Sequence, residues 1–122
     1  MAYHRATLLL SLSLFVSGIL RGGIIEYARD IRPILSDKCY KCHGPDANAR
    51  KAKLRLDKRE SALKVAKDKL LQRILDEDPE ERMPPQDSGL TLGVEEKNLL
   101  REWVLQGAPW PEDDRHWAFI PP

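Results

Sequence analysis

The chain has 122 residues, which suits one small domain. Twenty Lys and Arg face 19 Asp and Glu, a formal charge of +1. That balance argues against a nucleic-acid binder, which is usually strongly basic.

The N-terminus reads as an address rather than as fold. His4 and Arg5 sit in a short charged region, and residues 7–16 are apolar apart from Thr7 and two serines. Ser17 and Gly18 are small, so 1–18 reads as an export signal with cleavage after Gly18. The apolar run is short for a membrane span. An uncleaved anchor reaching to about residue 24 is the other reading, and only that one puts the protein on a membrane. Residues 25–111 are then the domain, and 112–122 a tail or a linker stub to missing downstream domains.

Residues 26–38 predict a helix. Ile31, Ile34 and Leu35 recur at i, i+3 and i+4. Asp30 and Pro33 suit an opening turn, where a proline sacrifices no helical hydrogen bond. The helix runs into Cys39-Tyr40-Lys41-Cys42-His43. This C-x-x-C-H pattern is the attachment signature of a c-type haem. Two thiols three residues apart on one helical turn can each add to a vinyl group of the same porphyrin. The next residue, His43, then supplies a nitrogen to the iron. A Cys39–Cys42 disulfide is the plain alternative for an exported chain, but it closes a very small loop with little entropic gain. Zinc held by Cys39, Cys42, His43 and His116 is a third option. Neighbouring helical residues point about 100° apart, a poor start for a tetrahedron.

His43-Gly44-Pro45-Asp46 reads as a turn. The segment after it is basic, and residues 38–59 carry eight Lys or Arg against two Asp. Arg50 and Arg55 are candidate partners for haem propionates, because a guanidinium matches a carboxylate geometrically. The plain reading is a solvated basic face. Residues 61–76 predict the clearest helix, with Leu63, Ala66, Leu70, Leu71, Ile74 and Leu75 at helical spacing. It ends in an acidic break at 76–81, and Arg82-Met83-Pro84-Pro85 follows as a stiff extended loop. The last helix is expected over 94–106, with Leu99, Leu100, Trp103 and Val104 as its apolar stripe and Gly107 closing it. No segment alternates like a strand, so the class is all-α, with three to four helices packed around the haem.

The iron's sixth position has few candidates. Met83 is the only methionine left once the signal is removed, and it lies on a loop where core packing is not expected. His116 is the alternative, near the chain end. An open or water-bound site is the remaining option.

Together these stretches resemble the planctomycete-type cytochrome c domain, a class I cytochrome c relative found near the N-terminus of large exported planctomycete proteins. The matching residues are Arg29-Asp30-Ile31-Arg32-Pro33-Ile34-Leu35-Ser36, the motif through Asp46, Ala49-Arg50-Lys51-Ala52 and Leu54-Arg55-Leu56-Asp57. They continue with Glu81-Arg82-Met83-Pro84-Pro85, Leu99-Leu100, Trp103, Gln106-Gly107-Ala108 and His116-Trp117-Ala118-Phe119. The resemblance implies one haem c bound covalently through Cys39 and Cys42, with His43 and Met83 as axial ligands. It also implies that the first and last helices cross, bringing Ile31, Ile34 and Leu35 against Leu99, Leu100 and Trp103.

The chain departs from the family pattern in two places. Similar domains usually carry a Gly/Pro loop between the regions like residues 62–63 and 70–75. Here the helix runs through, which implies a more exposed haem on that side or an incomplete copy. The last helix opens with Gly93-Val94 where a threonine cap and a proline are usual.

The resulting functional expectation is an exported, periplasmic or envelope electron carrier rather than an enzyme. Its partner is a redox protein or a fused downstream domain. The competing expectations are a haem sensor or peroxidase-like site with an open sixth position, and a truncated module of a larger exported protein.

Overall fold

The computed structural model describes residues 23–112. The expected export signal at 1–18, the tail beyond residue 112 and His116 lie outside the described residues.

Pro33 shapes the first helical stretch. It has no N–H to return to the carbonyl four residues back, and its ring crowds that carbonyl. The chain opens with a wider π turn, Tyr27–Ile31, in which the Arg32 N–H donates to the Tyr27 carbonyl five residues earlier. Helix α1 (Arg32–Lys38) follows with Pro33 in its first turn. The ladder breaks at Cys39, and α2 (Tyr40–His43) contains the rest of the C-x-x-C-H motif. The helix expected over 26–38 is therefore a π turn plus α1, and the motif itself is helical.

The helix expected over 61–76 starts earlier and is not uniform. It comprises α3 (Arg59–Val65), a π turn (Ala66–Leu70) and α4 (Leu71–Ile74). The π turn occupies the place where the expected Gly/Pro loop is missing. A short 3-10 turn, Gln86–Ser88, interrupts the following loop.

Helix α5 (Val94–Leu105) closes the fold. Gly93 caps it with backbone groups only. Its carbonyl accepts the Lys97 N–H at 3.0 Å, and its N–H donates to the Glu96 carboxylate at 3.0 Å. At the other end Gly107 has φ of 89°, the left-handed region that ends helices. The Ala108 N–H reaches the Trp103 carbonyl at 2.8 Å and the Gly107 N–H reaches Val104 at 3.0 Å, a Schellman closure. No strand occurs among the described residues, so the described fold is small and all-α.

The core joins the two ends of the domain. Ile31, Leu35, Leu100 and Trp103 are its most completely buried large side chains. Each contributes roughly 1.5–3 kcal/mol by leaving water. Ile34 joins them, and Leu99 packs half-buried at the edge. Helix α5 packs on the Tyr27–Ile31 turn and on α4. Trp110 lies beyond α5, where the sequence suggests only a stop signal. Its ring stacks on Tyr27 at 4.0 Å between centroids. Gln106 fastens the entering chain, accepting the Ile25 N–H at 3.0 Å and donating to the Gly23 carbonyl at 3.4 Å.

Candidate functional site

Helix α2 presents the motif, and the loop after it holds the motif in place. The Lys51 N–H donates to the Cys42 carbonyl at 2.7 Å, and the Leu56 N–H donates to the His43 carbonyl at 2.7 Å. Gly44 is buried at the exit from α2. A Cβ there would fall 2.2 Å from the Tyr40 carbonyl oxygen, so no side chain fits. Arg50 spans the turn, donating to the Gly44 and Pro45 carbonyls at 3.1 Å each.

His43 is oriented by this loop. Its Nδ1 lies 3.2 Å from the Lys51 carbonyl oxygen. A carbonyl only accepts, so Nδ1 carries the proton and Nε2 keeps its lone pair free. Burial lowers the His43 pKa, and the Lys51 carbonyl works against that by favouring the charged ring. Burial also pushes the Cys39 thiol up to about 12, with smaller contributions from the Glu96 charge and Cys42. The two cysteines are not bridged.

Met83 is held by a second loop. The acidic break before it is turn chemistry, because the Asp76 and Asp78 carboxylates accept the N–H groups of Asp78 and Glu80 at 3.0 and 2.9 Å. The Met83 N–H then donates to the Arg73 carbonyl at the end of α4, at 3.0 Å. The Arg73 guanidinium pairs with the Glu81 carboxylate and donates to the Glu81 carbonyl at 3.3 Å.

Cys39, Cys42, His43 and Met83 all open into one cavity of about 450 Å³. Its walls are mainly apolar, including Leu54, Leu56, Val65, Leu70, Ile74 and Leu92. The charged side chains lining it are Lys38, Lys53, Lys64, Lys69 and Arg73, with no acid. The size is within the usual range for ligand sites, roughly 300–1,000 Å³. A large apolar body carrying carboxylates and a metal that takes nitrogen and sulfur ligands fits this donor set, which describes a haem. Arg50 and Arg55 are not among the lining residues. Arg50 is used on the turn, and Arg55 makes a two-pronged pair with Asp57 at 3.0 and 2.5 Å. The lining lysines and Arg73 were not singled out in the sequence. The signal that could have found Lys64 and Arg73 was their place on the helical stretch that walls the site. Among the described residues, no three His, Cys, Asp or Glu side chains converge to hold a bare metal ion.

Residues 39–87 match the family model described as Planctomycete cytochrome C. The match supports a planctomycete-type cytochrome c domain over this stretch, about two fifths of the chain. The match begins at the first cysteine of the motif and extends past Met83, so it spans both loops that face the cavity. A match to this family points to haem binding. A comparison with curated proteins gave no match, and a comparison with solved structures gave none. Among the described residues, no helix is long and apolar enough to cross a membrane.

Proposed function

We propose that this domain is an exported single-electron carrier with one covalently held haem c. The observation that carries the reading is the convergence of Cys39, Cys42, His43 and Met83 on one apolar cavity. Cys39 and Cys42 would hold the haem through thioether links, each S–H adding across a vinyl C=C with sulfur on one carbon and hydrogen on the other. His43 offers Nε2 while the Lys51 carbonyl fixes the ring through Nδ1. Met83 would offer its thioether to the iron from the opposite loop. The haem supplies the Fe(III)/Fe(II) couple, and methionine ligation raises its potential. With His43 and Met83 both holding the iron, the group would supply electron transfer rather than chemistry on a bound molecule.

Export follows from the same reading, since thioether attachment takes place outside the bacterial cytoplasm, and the leader at 1–18 supplies the address. The lysines at the cavity suit an acidic redox partner, which such a field would steer to the haem edge.

The test is expression in a host with working haem attachment, followed by acid–acetone extraction and mass spectrometry of the mature chain. Haem that stays with the protein, at one group per chain, is expected. An apo-protein from such a host would sink the proposal. Ferric protein should also show the weak far-red thioether–iron band, and Met83→Ala should abolish it.

A further inference from the structure

We propose that Arg73 is the positioning residue for Met83, so that its guanidinium sets how firmly the thioether stays on the iron. The inference rests on the His/Met reading above and adds to it the group that holds the methionine loop.

Met83 has no helix of its own to fix it. Its loop is attached to the rest of the domain at Arg73 by two different parts of one residue. The Arg73 backbone carbonyl accepts the Met83 N–H at 3.0 Å. The Arg73 side chain reaches the loop two residues earlier, pairing with the Glu81 carboxylate and donating to the Glu81 carbonyl. The backbone bond fixes the height of Met83 against the end of α4. The guanidinium grips the segment leading into it, so the loop cannot pivot about that single bond. A fork of donors suits this task better than an ammonium, which acts as a point charge.

The π turn puts Arg73 where it can do this. Arg73 lies twelve residues after Ser61, and both line the cavity. In an unbroken α-helix they would point about 120° apart, at about 100° per residue. The π turn Ala66–Leu70 absorbs one extra residue and brings the angle back to about 20°. A feature that looks like a simple loop deletion in the sequence therefore has a consequence at the site. It rotates α4 so that Arg73 faces the cavity and the methionine loop.

The test uses the haem-loaded protein with Arg73→Ala, Arg73→Lys, Glu81→Ala and, as a control, Met83→Ala. Three readouts are taken: the ferric far-red band, the rate of carbon monoxide binding to the ferrous protein, and the reduction potential. Arg73→Ala should weaken the band and speed carbon monoxide binding about fivefold, as expected for losing one part-exposed ion pair from a closed loop. Its potential should fall toward that of Met83→Ala. Arg73→Lys should be intermediate. Far-ultraviolet circular dichroism and haem content should match wild type, which separates loop release from unfolding. Should Arg73→Ala fail to load haem, Glu81→Ala removes the same grip from an exposed loop position and should give the same three changes. A full band with wild-type carbon monoxide kinetics in Arg73→Ala or Glu81→Ala overturns the Arg73 role alone. A wild-type protein without the band, indistinguishable from Met83→Ala, overturns the His/Met reading and the Arg73 role with it.

Discussion

The Lys51 carbonyl oxygen lies 3.2 Å from His43 Nδ1, and the Lys51 N–H is bound 2.7 Å from the Cys42 carbonyl. One peptide segment thus fixes both the second cysteine and the histidine beside it. The next two residues, Ala52 and Lys53, hold φ of 53° and 52°. Left-handed backbone costs a residue with a Cβ roughly 1–2 kcal/mol. That strain turns the chain back so that Lys51 can face the motif and Leu54 can wall the cavity.

The strain makes a prediction at Ala52. Ala52→Gly removes the Cβ penalty but adds chain entropy on unfolding, so the net gain should be about 0.5 kcal/mol or slightly more. Ala52→Val puts a β-branched side chain in the same conformation and should cost about 2 kcal/mol. Urea unfolding of both variants checks the order. Equal midpoints for valine and glycine would mean that the turn is not strained.

Gly44 predicts a sharper loss. A methyl group at Gly44 would meet the Tyr40 carbonyl oxygen at 2.2 Å, and that oxygen belongs to the motif helix. Gly44→Ala should force α2 or its exit to move and cost about 3 kcal/mol or more, at the upper end for single substitutions. Haem content per chain and urea midpoint should fall together. Wild-type values for both would show that the turn relaxes freely.

Met83 stood out in the sequence as the lone methionine of the domain on a proline-stiffened loop, and it lines the cavity. The all-α class and the helical setting of the motif were legible because each depends on local spacing. The approximate helices were legible for the same reason, through the recurrence of Ile31, Ile34 and Leu35 and of Leu99, Leu100 and Trp103. What escaped depends on backbone hydrogen bonding that periodicity does not report. Pro33 looks like an ordinary first-turn proline, yet the chain accommodates it with a π turn. The 61–76 pattern looks continuous, yet a second π turn re-aims α4. Trp110 follows a helix stop and still returns to stack on Tyr27, because its partner lies 83 positions away in the chain and no local pattern points to it. Arg50 and Arg55 were attractive as cations near the motif. Arg50 donates to a nearby carbonyl pair and Arg55 pairs with Asp57, and the charged residues lining the cavity are Lys53 of the same segment with Lys38, Lys64, Lys69 and Arg73.

The Arg55–Asp57 pair predicts an acid limit. The Arg55 hydrogen bonds hold the Asp57 carboxyl below its usual range, more than burial raises it. Asp30 is held down to about 2, first by Arg29 and then by the Glu26 N–H. Unfolded aspartates titrate near 3.9. A depressed folded value means the unfolded chain binds protons first as pH falls. The stabilisation is therefore complete above about pH 5 and is lost as pH drops through about 4 toward 2. Asp57→Asn should be less stable than wild type at pH 7 by about 1 kcal/mol. The gap should narrow on acidification to pH 3. A constant gap across that range would remove Asp57 from the acid response.

The charge around the cavity predicts a salt effect on electron transfer. Lys38, Lys53, Lys64, Lys69 and Arg73 line the site, and no acid joins them there. A small anionic reductant such as ferrocyanide should therefore meet a favourable local field although the whole chain carries only +1. Its rate with the ferric protein should fall a few-fold as ionic strength rises from about 0.01 M to 0.15 M, as screening shortens the field's reach from about 30 Å to 8 Å. Lys64→Glu and Lys69→Glu should each lower the rate at low salt and flatten that dependence. Surface lysines away from the cavity, such as Lys97, should have a smaller effect when changed in the same way. A neutral reductant should show neither trend. Equal effects at Lys69 and Lys97 would mean that net charge, rather than the cavity's own lysines, governs the encounter.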